Sequence, residues 1–201
     1  MTVQFNRPRT WLALGISLLM LSGYAAANEG KKATGEFGVM IGFLDGMTIN
    51  AYAKDSTNSD GSIDSDMGLS GGISFDQAVY RSFWAGLTID VFQVRKEIAF
   101  LEVSARTLNP ALRLSFHIRS AGSNWSVRPG IACGVALLEE VSGYKASQYV
   151  TLRPFLQTVC YLTPETGFLI EASVFQTLQG GNDDFDIDAG PSFGLRVGLL
   201  K

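Results

Sequence analysis

After residue 30 the sequence has no run of 18 apolar residues, so nothing there can cross a bilayer as a helix. Charged residues make up only 17% of the chain, and no basic excess accompanies them, since the net charge is −3. Nucleic-acid binding wants a basic face and is not expected. There are two cysteines, Cys133 and Cys160, and one histidine, His117. What is plentiful is glycine, with 22 residues, and hydrophobic side chains, at 46% of 201 residues. A chain of this length can build one domain with a sizeable core.

The N-terminus reads as a targeting segment. Arg7 and Arg9 precede an apolar stretch from Trp11 to Leu21, and Ala25, Ala26 and Ala27 offer a cleavage site before Asn28. The apolar stretch is short for a membrane span, and no cysteine near the cleavage site suggests a lipoprotein. The expected organisation is a cleaved signal peptide over 1–27, a short polar segment over 28–35 and one folded domain over 36–201. The chain is then exported, into a compartment where the cysteines could pair.

From residue 36 onward, apolar and small residues alternate with period two, the mark of strands with two different faces. Eight strands are predicted, over 36–44, 67–75, 83–94, 108–118, 126–138, 149–162, 167–176 and 186–200. The first sets Phe37, Val39, Ile41 and Phe43 against Gly38 and Gly42. The last sets Ile187, Ala189, Pro191, Phe193, Leu195, Val197 and Leu199 against Asp188, Gly190, Ser192, Gly194, Arg196 and Gly198. Predicted connections alternate in length: 45–66, 95–107, 139–148 and 177–185 are longer, whereas 76–82, 119–125 and 163–166 are short. An even number of strands puts both ends of the domain on the short-turn side.

Polarity decides which face points outward. A soluble barrel shows water a charged exterior, whereas a membrane barrel turns its bulky face to lipid. Here the non-bulky face is mainly Gly, Ala, Ser and Thr with a few isolated charges, too bare for a solvated exterior. It suits the narrow inside of an eight-stranded barrel, which side chains alone can fill. The predicted fold class is all-β: an eight-stranded antiparallel transmembrane β-barrel. In lipid every backbone group needs a partner, so the first and eighth strands must close the sheet. Pro110, Pro129, Pro154 and Pro191 are expected at rims or bulges. Tyr80, Phe83, Trp84, Trp125, Tyr161 and Phe168 are expected near one rim, and Phe43, Phe92, Tyr149 and Phe185 near the other, as aromatic girdles.

With this architecture, residues 36–200 resemble the small eight-stranded outer-membrane barrels of the OmpA-type and OmpX-type class. The nearest thing to a motif is the alternating final strand, Gly190-Pro-Ser-Phe-Gly-Leu-Arg-Val-Gly-Leu-Leu-Lys201. Members of the class end in such a strand, often closed by a terminal aromatic, which the barrel-assembly machinery recognises. Here the chain ends in Leu200 and Lys201 instead. The resemblance implies a place in the outer membrane, after export through the periplasm. The implied partners are outer-membrane lipid, lipopolysaccharide and the assembly machinery.

Asp90, Arg113, His117, Arg128, Arg153, Glu171, Asp188 and Arg196 are expected in the lumen. Buried charges need partners, so the first reading is a plug of salt bridges. Lumen arginines outnumber the lumen acids in this set, which opens a second reading, a narrow anion-preferring transport path. A third, a lipid-modifying hydrolase similar to the outer-membrane lipid A deacylases, would need His117 and Ser115 as base and nucleophile. But His117 lies toward the periplasmic end, away from outer-leaflet lipid. The expected role is therefore non-enzymatic, a structural or surface-interaction role, with no cofactor. The outer loops are acidic. Asp60, Asp64, Asp183 and Asp184 come nearest to a cation site, although the stretch 56–67 lacks the leading Asp and closing Glu of a calcium loop. Cys133 and Cys160 share the lipid face of adjacent strands. A hairpin pivoting at about 144–147 would bring them level, so a cross-strand disulfide is one reading and two small lipid-facing hydrophobes the other.

Overall fold

A computed structural model describes residues 35–45, 48–53, 61–64, 68–98, 101–138, 147–181 and 185–201. The outermost segments, among them 48–53, 61–64, 94–98, 101–105 and 185–189, are described by backbone pairing alone. The predicted signal peptide, the polar segment up to residue 34 and Asp60, Asp183 and Asp184 lie outside the described residues, whereas Gly35, expected in that segment, begins the first strand.

Eleven strands form one sheet: β1 (Gly35–Leu44), β2 (Thr48–Ala53), β3 (Gly61–Asp64), β4 (Gly68–Tyr80), β5 (Phe83–Ile98), β6 (Leu101–Phe116), β7 (Trp125–Leu138), β8 (Ser147–Tyr161), β9 (Gly167–Gly181), β10 (Phe185–Ala189) and β11 (Ser192–Leu200). Every pairing is antiparallel. β1, β4, β5, β6, β7, β8, β9 and β11 close into an eight-stranded barrel, because β11 pairs with both β9 and β1. The closing ladder runs from Gly38 opposite Leu200 to Leu44 opposite Gly194.

The three remaining strands prolong this barrel outward. Leu44 stands opposite Gly68, and Thr48 opposite Asp64, so β2–β3 continues the β1–β4 ladder in the same register. Leu44 opposite Gly194 likewise continues as Ile49 opposite Ala189. The expected long connections at 45–66 and 95–107 are therefore corrected. The first contains β2 and β3, and in the second β5 runs to Ile98 and β6 resumes at Leu101. β6, β7, β8 and β9 hold 14 to 16 residues each, where a tilted span needs about 9–11. The surplus stands outside the belt. A strand there need not turn one face to lipid, so the apolar–polar alternation that marks a strand need not continue, whereas the hydrogen-bond ladder does.

Below that level the alternation is nearly perfect. β1 exposes Phe37, Val39, Ile41 and Phe43 and buries Gly38, Met40, Gly42 and Leu44. The exposed large hydrophobics come from every barrel strand and form a continuous belt. Such an apolar area in contact with water would be far larger than soluble proteins show, and it is the surface a barrel turns to lipid. The short connections are tight. Tyr80 pairs with Phe83 across a two-residue turn, in which Arg81 takes a left-handed φ of 45°.

The proline and aromatic expectations are corrected in part. Pro110 and Pro154 lie inside the strands rather than at their ends, because the strands run further out than expected. The rungs beside them are interrupted between β6 and β7 and between β8 and β9, since proline has no N–H to donate. Pro191 falls in the break between β10 and β11. Phe92 and Tyr149 belong to no outer girdle; both turn inward and are buried. The lumen is thus more apolar than the sequence suggested. Leu44, Phe92, Ala136, Tyr149 and Phe175 form a plug toward the outer end. Met40, Val159, Leu169 and Leu200 form a second layer, with Tyr161 packed on it, and Ala111, Ala132 and Phe155 a third.

Candidate functional site in the barrel lumen

The chemistry-bearing residues are concentrated inside the barrel, at the inward positions of their strands. Arg196 on β11 bonds both Asp90 on β5 and Glu171 on β9. Arg153 on β8 sets its Nη1 2.8 Å from Asp90 Oδ2. Arg113 on β6 reaches Glu171 Oε2 and Asp76 Oδ1, each at 3.4 Å, and lies over the Phe155 ring at 4.4 Å. Gln157 donates to Glu171, and Thr88 donates to Asp90. The network is deeply buried, with Asp90 and Glu171 at 0% exposure. Such charges are stable only when paired. Arg153 is held by charge alone: none of its nitrogens makes a hydrogen bond of good geometry to the protein.

Arg196 and Glu171 face each other on neighbouring strands, but other contacts join strands that are not neighbours. Arg196 and Asp90 are separated by β1 and β4, and Arg153 and Asp90 by β6 and β7. The network therefore staples the wall across the lumen. Glycines make the room: Gly42 stands opposite Arg196, Gly72 opposite Asp90 and Gly86 opposite Arg113. A Cβ on Gly42 would collide with the backbone of Leu195 and Arg196.

A second cluster closes the short-turn end. Arg128 on β7 takes Glu36 on β1 in a fork, Nη1 to Oε2 at 2.6 Å and Nη2 to Oε1 at 3.1 Å. It also donates to the Tyr161 hydroxyl, which donates in turn to Glu36 at 3.1 Å. β1 and β7 stand on opposite sides of the barrel, so this pair crosses its full width. Arg119 covers the Tyr161 ring from the mouth, at 4.4 Å.

Six of the eight residues named from the sequence thus line the lumen in these two clusters: Asp90, Arg113, Arg128, Arg153, Glu171 and Arg196. His117 does not join them. It lies one residue beyond β6 and stacks on Trp84, with ring centroids 4.1 Å apart. Burial, helped by the fields of Arg128 and Arg113, pushes its pKa down to about 3, so it is neutral at ordinary pH. Asp188 is in β10, opposite Asn50 in the outer extension, and its side chain lies outside what is described. Asp64 ends β3, described by backbone alone. Among the described residues no group of three His, Cys, Asp or Glu is placed to hold a metal ion.

Two acids were missed. Asp76 was assigned to a turn, and Glu36 was read only as the start of a strand. Both sit at inward parity, Asp76 with Ser74 and Glu36 with Gly38, and that parity is the signal that could have found them. They overturn the excess of arginine. Among the described residues, Arg113, Arg128, Arg153 and Arg196 face Glu36, Asp76, Asp90 and Glu171, four against four.

The cross-strand disulfide is also corrected. Leu138 stands opposite Ser147, so the β7–β8 hairpin pivots nearer 142–143 than 144–147. Cys133 then faces Leu152, and Cys160 faces Trp125, eight residues further along β8. Eight residues span about 27 Å, whereas a disulfide needs its Cα atoms within about 7 Å. Both thiols are free.

No protein-family model and no curated protein matches the sequence. Solved structures do. Outer membrane protein OprG from Pseudomonas aeruginosa superposes with a TM-score of 0.61 at 14% identity, covering 84% of this chain and 95% of that one. Neisserial surface protein A superposes with a TM-score of 0.55 at 12% identity, covering 82% and 95%. The fold is that of the small eight-stranded outer-membrane barrels. At such low identity the likeness extends to the fold alone.

Proposed function

We propose that this protein is an outer-membrane barrel with a structural or surface-interaction role, and that it is neither an open channel nor an enzyme. In this reading residues 1–27 are removed on export through the periplasm, and the assembly machinery inserts residues 36–201. Lipid and lipopolysaccharide surround the belt. The observation that carries the reading is the crossed lumen. Arg196, Asp90, Glu171, Arg153 and Arg113 tie the mid-barrel, Arg128 and Glu36 tie its periplasmic end, and Leu44, Phe92, Tyr149 and Phe175 fill the outer end. Among the described residues the lumen charges balance, which favours a plug over an anion path. The stacking of His117 on Trp84, apart from both charge clusters, supports the non-enzymatic reading over a hydrolase.

The test joins two measurements on refolded residues 28–201. Gel mobility that changes on boiling, with a strand-rich circular dichroism spectrum, is expected for a closed membrane barrel. Planar-bilayer recordings are expected to show no steady conductance. Steady channels lost on substituting Arg153 would overturn the plugged reading, and solubility in plain buffer without a mobility shift would overturn the membrane one. Unchanged lipid A mass spectra on overexpression are expected of a non-enzyme.

A further inference from the structure

The lumen charges balance in total but not along the barrel. Asp76 stands opposite Glu36 on the β1–β4 ladder, so both acids belong to the short-turn end, with Arg128. That leaves Arg113, Arg153 and Arg196 in the mid-barrel with Asp90 and Glu171, three cations against two carboxylates. Asp76 reaches this layer only through its 3.4 Å contact with Arg113. In a low-dielectric interior a surplus charge is costly unless a counter-charge lies beside it.

The hydrogen bonds are uneven in the same sense. Two carboxylate oxygens lack one, Asp76 Oδ1 and Asp90 Oδ2, but each lies in an ion contact, with Arg113 Nε and Arg153 Nη1. Every other buried side-chain atom without a bond, among the described residues, is one that can donate. These are Arg153 Nε and Nη2, Arg196 Nε and the hydroxyls of Ser70 and Thr177. A buried donor that meets no acceptor is costly. These donors are also neighbours. Asp90 holds both Arg153 and Arg196. Ser70 and Arg196 flank Gly42, which puts no side chain between them. Thr177 stands opposite Thr151, the inward residue next to Arg153 on β8.

We infer that the mid-barrel lumen beside Arg153 binds a small inorganic anion of halide size. An anion supplies the missing charge and accepts from several donors at once. Water would also accept, but it brings protons that need acceptors of their own and no counter-charge. The apolar layers limit the size of the ion, with Leu44, Phe92 and Phe175 outward of the site and Met40, Leu169 and Leu200 on the other side. The ion would be enclosed as the barrel closes, so the site completes the plug and opens no path. The inference rests on the plugged reading and adds the ion to it.

The test uses the full barrel refolded in sodium bromide. Crystals grown from it are expected to show an anomalous-scattering peak within hydrogen-bond reach of Arg153. In urea unfolding at constant ionic strength, with gluconate as the balancing anion, each tenfold rise in bromide beyond half-saturation should add about 1.4 kcal/mol to stability. Arg153→Met leaves Asp90 paired with Arg196, so it is expected to fold and to lose the dependence on bromide. Thr177→Val, a milder change, should raise the bromide needed for half the effect about threefold or more, the worth of one hydrogen bond. A folded Arg153→Met barrel that keeps the full bromide dependence overturns the site. Lumen density without anomalous signal, in a barrel whose stability ignores bromide, overturns the anion and leaves the plug standing. Steady conductance in the unsubstituted protein overturns the plugged reading itself, and this inference with it.

Discussion

The two faces of the same strands are stabilised in opposite ways. Outward residues such as Ile41, Leu195 and Val197 are interchangeable. Each meets lipid, and any large apolar side chain would serve. Inward residues are specific. Arg196 meets two named carboxylates on two strands, and the glycine opposite it, Gly42, cannot be enlarged. Alternate positions of one chain therefore carry different information: the outward series says that there is a barrel, and the inward series says how it is closed.

The largest effect should come from unbalancing the inward face. Glu171→Gln leaves Arg196 and Arg113 short of a carboxylate at a fully buried site. Breaking such a pair costs roughly 3–5 kcal/mol, read as a lower urea midpoint for the refolded barrel. Adding Arg196→Met should recover part of that loss, because the stranded charge goes with its partner. If Glu171→Gln unfolds with an unchanged midpoint, the network does not hold the wall. On the outward face, a single charge mid-belt should cost somewhat less. Ile41→Arg is expected to lose roughly 2–4 kcal/mol in the bilayer, while Ile41→Val should change little. Equal stability for Ile41→Arg and Ile41→Val would mean that this face does not meet lipid.

The outward series is also what made the fold legible. Phe37, Val39, Ile41 and Phe43, and their counterparts on the other strands, announced eight strands and their facing without any alignment. Legibility failed where the alternation loses its cause. Thr48–Ala53 and the outer ends of β5 and β6 are strands beyond the eight-stranded span, where no face need be apolar, and the sequence reads as loops there. It failed again for partnership. The sequence showed that Asp90 and Arg196 face inward, but their meeting depends on strand order and shear. Inward aromatics such as Phe92 and Tyr149 were mistaken for girdle residues, because an aromatic beside a rim fits either face. The cysteine pairing failed through a hairpin pivot displaced by only a few residues, an error that periodicity cannot correct because a shift of this kind can keep the same parity.

A smaller effect should appear at the boundary between the faces. His117 leaves the lumen network for a stack on Trp84, with its pKa held at about 3 against an unfolded value near 6.5. The neutral ring is the form the fold prefers. Its contribution is therefore complete above pH 6.5 and declines as pH falls from about 6.5 toward 3, where the unfolded chain binds a proton that the folded chain refuses. The urea midpoint should fall over that window, and the fall should be shallower in His117→Gln. An identical pH profile for the two proteins would show that the ring is protonated as readily in the folded barrel as out of it.

The smallest effect is expected at the two cysteines. Both stand on the outward face, where an apolar side chain of similar size is as good, and the register keeps them eight residues apart along β8. Cys133→Ala and Cys160→Ala should each leave the midpoint within about 0.5 kcal/mol, the range of substitutions that touch no special feature. Titration of the unfolded chain should yield two thiols without reductant. One or none, in monomeric protein, would require the β7–β8 register to slip far enough to bring Cys133 beside Cys160. Such a slip would pull Arg153 and Arg128 away from Asp90 and Glu36, so the thiol count also tests, at a distance, the pairing of the lumen charges.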